Sequence, residues 1–150
     1  MIGLESNVLV RYLVQDDPAQ SQKATDLIER RLTERNPGFV SVVAIVETVW
    51  VLSRAYGLSS RQVTAAIERV LQADVIVVEN EQEVFAAMTA LRRRQSSFAD
   101  ALVAALGQRA GCSYTLTFNQ KASRLAGFQL LNWTPAKASV LAAGETGGIP

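Results

Sequence analysis

Short β-branched runs alternate along this chain with longer amphipathic stretches that open on capping residues, and this alternation most limits the folds open to it. Ile2-Gly3-Leu4 reads as a short strand, and Ser6 then caps a helix carrying Val8, Leu9, Tyr12 and Leu13 on one side. Asp17-Pro18 starts a helix that runs to about Arg35 on an apolar stripe of Ala24, Leu27, Ile28 and Leu32. Asn36-Pro37-Gly38 breaks it, and Phe39-Val40 is a second brief strand. Ser41 caps an apolar helix from Val42 to about Tyr56, stopped by Gly57, and Ser59 with Gln62 forms a capping-box pair for a helix to about Gln72. Val75 to Val78 is strand, and Asn80 caps a helix from about Glu81 to Arg94. Ser97 to Ala110 is helical, Tyr114 to Phe118 strand, Gln120 to Ala126 a short helix, and Phe128 to Leu131 a last strand. Strands separated by helices predict an α/β fold with an open, mostly parallel sheet flanked by helices.

The chain has 150 residues, the size of one domain. Residues 1–131 carry the pattern, and 132–150 read as a C-terminal extension or tail, with an Ala-, Gly- and Pro-containing stretch from Thr134 that could form a short extra helix. Fifteen Lys and Arg against fourteen Asp and Glu give a net charge of +1, so contact with nucleic acid must come from a local patch. The opening Met-Ile-Gly-Leu-Glu has neither a basic stretch nor a long apolar run, so neither a signal peptide nor a membrane span is expected. One cysteine, Cys112, allows no internal disulfide and no thiolate zinc site of the CxxC type, which fits a cytoplasmic location. There is no histidine, which removes the commonest acid–base residue, the usual triads and the commonest zinc ligand. If the protein is an enzyme, carboxylates and a hard metal ion are the tools left to it.

In an open parallel sheet, ligands bind beyond the carboxyl ends of the strands. Glu5 follows the first strand and Asn119 the strand Tyr114 to Phe118. Glu47 is the only charged residue between Phe39 and Arg54, and Asp100 the only one between Gln95 and Arg109. Carboxylates in such apolar company need compensation if buried, and a convergent set would suit Mg²⁺ or Mn²⁺, able to activate water against a phosphodiester. Each residue also has a plainer role open to it. Asp100 could complete a capping box begun by Ser97, Asn119 could cap the helix at Gln120, Glu47 could pair with Arg11 or Arg124, and Glu5 could be a solvated strand end. Asp16-Asp17 follows a helix, which disfavours a receiver-like phosphoacceptor. Arg92-Arg93-Arg94 reads as a solvated helix end favoured by the dipole rather than as a nucleic-acid track.

Four segments together resemble the PIN-domain ribonucleases, in particular the bacterial toxins of VapBC-type toxin–antitoxin pairs. Gly3-Leu4-Glu5-Ser6-Asn7-Val8-Leu9-Val10-Arg11-Tyr12-Leu13 is similar to the family's G-L-D-T-N-V-L-V-R-Y-L opening, and Glu47 matches its helical glutamate. Phe98-Ala99-Asp100-Ala101-Leu102-Val103 is similar to F-A-D-A-L-I, and Thr115-Leu116-Thr117-Phe118-Asn119-Gln120-Lys121-Ala122 to T-L-T-F-D-x-K-A, with Leu125 and Gly127-Phe128 closing as R-L-x-G-F does. The resemblance implies a PIN-like fold, a homodimer, cleavage of RNA, and an antitoxin protein that blocks the site. It also implies that Glu5, Glu47 and Asp100 ligate Mg²⁺ or Mn²⁺, that Asn119 orients a ligand water, and that Ser6, Thr117 and Arg11 support them, the first two as hydroxyls and the last as counter-charge.

The chain departs from the pattern where Glu5 and Asn119 stand at usual aspartates, and where Ser97 stands at a position often acidic in relatives. Glu5 extends its carboxylate by about 1.5 Å. Asn119 removes a charge, which is expected to lower metal affinity roughly 10–100-fold. An altered but active ribonuclease and a catalytically silent module that binds an antitoxin or RNA are both compatible with these changes.

Overall fold

The computed structural model describes residues 1–132, and the tail or extra helix expected from Thr134 onward lies outside them. Three very short strands form the first sheet, β1 (Ile2–Gly3), β2 (Gly38–Val40) and β3 (Ile76–Val78), in the order β1-β2-β3. Their pairing is parallel, with Gly3 opposite Phe39 and Phe39 opposite Val77. A second parallel pair, β4 (Thr115–Thr117) and β5 (Phe128–Leu130), sets Leu116 opposite Gln129. The strand pairings among the described residues are therefore all parallel, as the alternating pattern predicts, but the strands divide into two sheets rather than one. The reason lies in length: two residues of β1 offer few ladder groups, and those are spent on β2, where Ile2 N–H donates to Pro37 O and Leu4 N–H to Phe39 O. The outer edges accordingly face solvent, with Ile2 44 % and Leu116 52 % exposed.

Six helices connect the strands: α1 (Ser6–Val14), α2 (Pro18–Asp26), α3 (Val42–Arg54), α4 (Ser60–Gln72), α5 (Glu81–Arg92) and α6 (Phe98–Arg109). Most begin as the capping residues predict. Asp17 accepts from Gln20 N–H, Ser41 from Ala44 N–H, and Ser59 and Gln62 form the full reciprocal box. Their apolar faces meet in one core built around Leu9, Val40, Ile45, Leu52, Ile67, Val84 and Met88, all essentially without solvent contact.

Four local expectations are corrected. Ser6 does not cap α1 but is its first residue, and Glu5 stands at the N-cap position without a side-chain cap bond. The helix expected to reach Arg35 passes through a π-turn, Leu27–Arg31, and stops there, because Leu32 swings to an extended conformation to bury itself, its N–H still bonded to Leu27 O. The helix expected over Gln120 to Ala126 shrinks to a single 3-10 turn, Ala122–Arg124. Asn80 caps nothing with its side chain; it adopts φ +50°, the left-handed conformation that asparagine tolerates, and turns the chain from β3 into α5.

The end of α5 is more demanding. Gln95 N–H bonds to Ala90 O and Arg94 N–H to Leu91 O, a paired helix stop that needs a left-handed residue, and Arg94 fills that place at φ +56° where glycine is usual. Arg94→Gly is expected to raise unfolding stability by about 1 kcal/mol, the cost of holding a side-chain-bearing residue there, as read from urea denaturation.

Candidate active site

The acidic groups come from the carboxyl end of β1, the middle of α3 and the first turn of α6. Glu5 leaves β1 in an extended conformation and occupies the N-cap position of α1 without capping it; its carboxylate accepts from Asn7 Nδ2 at 3.3 Å and is exposed. The next residue, Ser6, is buried, and its hydroxyl donates to Glu47 Oε2 at 3.2 Å. That bond joins the start of α1 to the middle of α3 and brings two of the expected groups together. Glu47 itself is exposed, so the cost of burying a carboxylate among apolar neighbours does not arise: the buried face of α3 belongs to Ala44, Ile45, Thr48, Val49 and Leu52, and Glu47 falls on the other side. Neither Arg11 nor Arg124 forms an ion pair with it among the described residues.

Asp100 is half-buried in the first turn of α6. The capping box open to it is only half made. Ser97 Oγ accepts from Asp100 N–H at 3.1 Å, while the Asp100 carboxylate returns no bond and remains available. Asn119 takes the plainer of its two roles: its Oδ1 accepts from Lys121 N–H at 2.9 Å and Ala122 N–H at 3.3 Å, so both lone pairs serve the turn after β4. Thr117 Oγ1 accepts from Asn119 N–H at 3.0 Å and keeps its proton free to donate.

Arg11 points elsewhere. Its guanidinium contacts Asp16 at 3.0 and 3.1 Å, Tyr56 Oη at 2.9 Å and Gln20 at 2.7 Å, while Tyr56 Oη donates to Asp16 at 2.6 Å. This triad ties the end of α1 to the turn after α3. It also accounts for Asp16, as the cap of α2 accounts for Asp17. The composition gave no sign of Tyr56, which had only a boundary position to recommend it. Glu79 was missed as well: it directly follows β3, a strand-end signal like that of Glu5, and it accepts from Val42 N–H at 2.8 Å at the start of α3.

With these positions in view, the chain can be compared with known proteins. Residues 2–128 match the family model described as PIN domain. The chain belongs to the PIN domain family. PIN domains are in general metal-dependent nucleases that act on RNA or DNA, and generally use divalent ions such as Mg²⁺. No curated relative matches the sequence. Among the described residues of this PIN domain no helix is long and apolar enough to cross a membrane.

The donors in this PIN domain suit such an ion in type: Glu5, Glu47 and Asp100 offer carboxylate oxygens with no cationic side chain upon them among the described residues. They do not form a ready-made cage, since no three acidic side chains gather closely enough to hold an ion together among the described residues. Mg²⁺ does not require one, being bound usually through one or two carboxylates with water and substrate phosphate filling the rest of its shell.

The Arg11 triad has its own pH signature. The Tyr56 hydroxyl, followed by the Arg11 charge, holds the Asp16 carboxyl below the ordinary carboxylate range, and the bond to Asp16 raises the Tyr56 phenol above its ordinary value. A depressed acid stabilises the fold above its unfolded pKa of about 3.9 and loses that contribution as pH falls through the folded value; the raised phenol contributes below about 10 and loses it above. Tyr56→Phe is therefore expected to lower the melting temperature at neutral pH, with the gap to the parent narrowing below about pH 4, as followed by thermal melts across pH.

Proposed function

We propose that this PIN domain is a Mg²⁺- or Mn²⁺-dependent endoribonuclease, the toxin of a toxin–antitoxin pair, in which Glu5, Glu47 and Asp100 supply the metal's carboxylates. The observation that carries the reading is Glu47: an exposed carboxylate on an apolar helix, oriented by the buried Ser6 hydroxyl and without an ion pair among the described residues. Held by a neutral hydroxyl and by no cation among the described residues, the carboxylate keeps its charge for a ligand. A hard divalent ion, when bound, activates water and offsets charge on the phosphodiester.

The remaining roles follow from what each side chain has left to give. Ser6 fixes the Glu47 carboxylate by its donated proton. Asn119 has spent its oxygen on the turn, so its amide N–H groups are what it can present, as donors toward a phosphate oxygen rather than as acceptors from a metal-bound water. Thr117 holds the turn and retains a hydroxyl proton beside it. Arg11 stabilises the scaffold through Asp16 and Tyr56 and is not needed as a counter-charge in this reading. Val43 and Trp50, 69 % and 62 % exposed, stand four residues before and three after Glu47 on α3. They give an antitoxin, or a second copy of the chain in a homodimer, apolar surface to cover beside the acid. A cytoplasmic location suits both partners.

Glu47→Gln is expected to lower metal-dependent RNA cleavage by at least a factor of about 100 while changing stability by less than about 0.5 kcal/mol, because the side chain is exposed. Unchanged cleavage of a labelled RNA by this variant would sink the reading.

One observation favours a second reading, a module that binds antitoxin or RNA without cutting: the fourth position is an amide already committed to a cap. Asn119→Asp preserves the cap, since aspartate serves equally well there, and restores the charge. On the nuclease reading it tightens Mn²⁺ binding roughly 10–100-fold by calorimetry and raises an existing rate. On the silent reading, cleavage emerges only when Glu5→Asp is added to it.

A further inference from the structure

We propose that the groove between the start of α4 and the end of α5 is a second RNA-contact site, holding backbone phosphates of the strand whose scissile bond lies at the acidic edge. The proposal rests on the nuclease reading for the identity of the strand but not for the existence of the site. The groove forms a cavity of about 900 Å³ lined by Ser59, Ser60, Arg61, Glu68, Arg92 and Arg94, with Thr64 and Ala65 completing the wall. Three guanidinium groups thus face one carboxylate, and that carboxylate is already taken: Arg92 lies 3.1 Å from Glu68.

Arg61 and Arg94 have no ion pair among the described residues, so two positive charges from separate helices meet in one cleft of a chain whose net charge is only +1. Like charges brought together across a concave surface repel, and the arrangement favours an anion between them. A planar, doubly donating guanidinium fits the oxygens of a phosphate. The Ser59 hydroxyl is occupied by Gln62 N–H, whereas the neighbouring Ser60 hydroxyl makes no hydrogen bond among the described residues and can donate to the same oxygens.

Arg94 carries a second sign. It occupies the left-handed position that closes α5, where glycine would sit without strain, and it keeps a guanidinium on the rim of the cleft at that cost. The position also links the two sites. Arg94 precedes Asp100 by six residues, a span of at most about 20 Å even if fully extended, so a short single strand can reach from one to the other. Among the described residues the lining holds no apolar side chain larger than that of Ala65, which favours a sugar-phosphate backbone over an acidic peptide, which would need apolar anchors beside its charges.

The test is binding of a short fluorescein-labelled single-stranded RNA in EDTA, where cleavage does not interfere, by the full chain carrying Arg61→Ala and Arg94→Gly. The glycine suits the backbone at that position, so loss of binding by a protein of equal or greater stability cannot be laid to misfolding. Affinity is expected to fall roughly tenfold, and the slope of log K against log salt to shrink by about 1.4, the value for two phosphate contacts on a single strand. Charge reversal at Arg61→Glu in the Arg94→Gly background should weaken binding further. Unchanged affinity and slope would overturn the groove, whether or not Mn²⁺-dependent cleavage persists; loss of binding in a protein that never cleaves RNA would uphold the groove and remove only the nuclease reading. Failure of the parent to bind RNA, with groove-dependent binding of polyglutamate instead, would assign the cleft to an acidic protein segment and overturn the proposal.

Discussion

The fold depends on β2. Gly38 and Phe39 are paired on both sides and Val40 with β3, with Leu4 N–H bonded to Phe39 O, Gly38 N–H to Val75 O and Glu79 N–H to Val40 O. Val40 has no solvent contact. Parallel neighbours require crossovers, and crossovers long enough to return the chain are helices, so each strand must be followed by a helix that covers the core. The same requirement sends every strand the same way within a sheet. The carboxyl ends of β1, β2 and β3 therefore share one edge, and the polar residues that follow them, Glu5, Ser41 and Glu79, stand there because the chain turns into a helix or loop at that point.

That edge is held together by polar bonds between elements that are distant in sequence. Ser6 reaches Glu47 across 41 positions and Glu79 reaches the start of α3 across 37. Such bonds are worth only about 1 kcal/mol each, yet they orient carboxylates that packing alone would leave free to rotate. The Arg11–Asp16–Tyr56 triad performs a comparable service away from the site, fastening α1 to the turn that follows α3. Two basic environments thus have different purposes: Arg11 is saturated by its own chain, while Arg61 and Arg94 are left facing a cleft.

The two sheets give the acidic edge a division of its own. Glu5 and Glu47 belong to the larger sheet and its helices, and Asn119 to the smaller pair β4–β5. The two-residue β1 cannot offer a long ladder on its outer side, and Asn119 has turned its oxygen to its own turn. An aspartate here could cap with one oxygen and offer the other to a cation, whereas the amide caps with its one oxygen and has only N–H groups left.

By itself, the sequence determined the element order, the parallel pairing and the caps at Asp17, Ser41, Ser59 and Ser97, because periodicity, β-branching and Ser or Asp at helix starts are local properties of the chain. It also singled out Glu5, Glu47, Asp100 and Asn119, since a lone carboxylate on an apolar helix or a polar residue at a strand end is visible without coordinates. Only the tertiary structure decided that Glu47 faces outward under Ser6, that Arg11 is consumed by Asp16 and Tyr56, that Asn119 caps with its oxygen, and that Arg61 and Arg94 line one cleft. The cap is a choice between two local roles that the sequence left open, whereas the others depend on how helices rotate and pack, which sets the distances between remote segments.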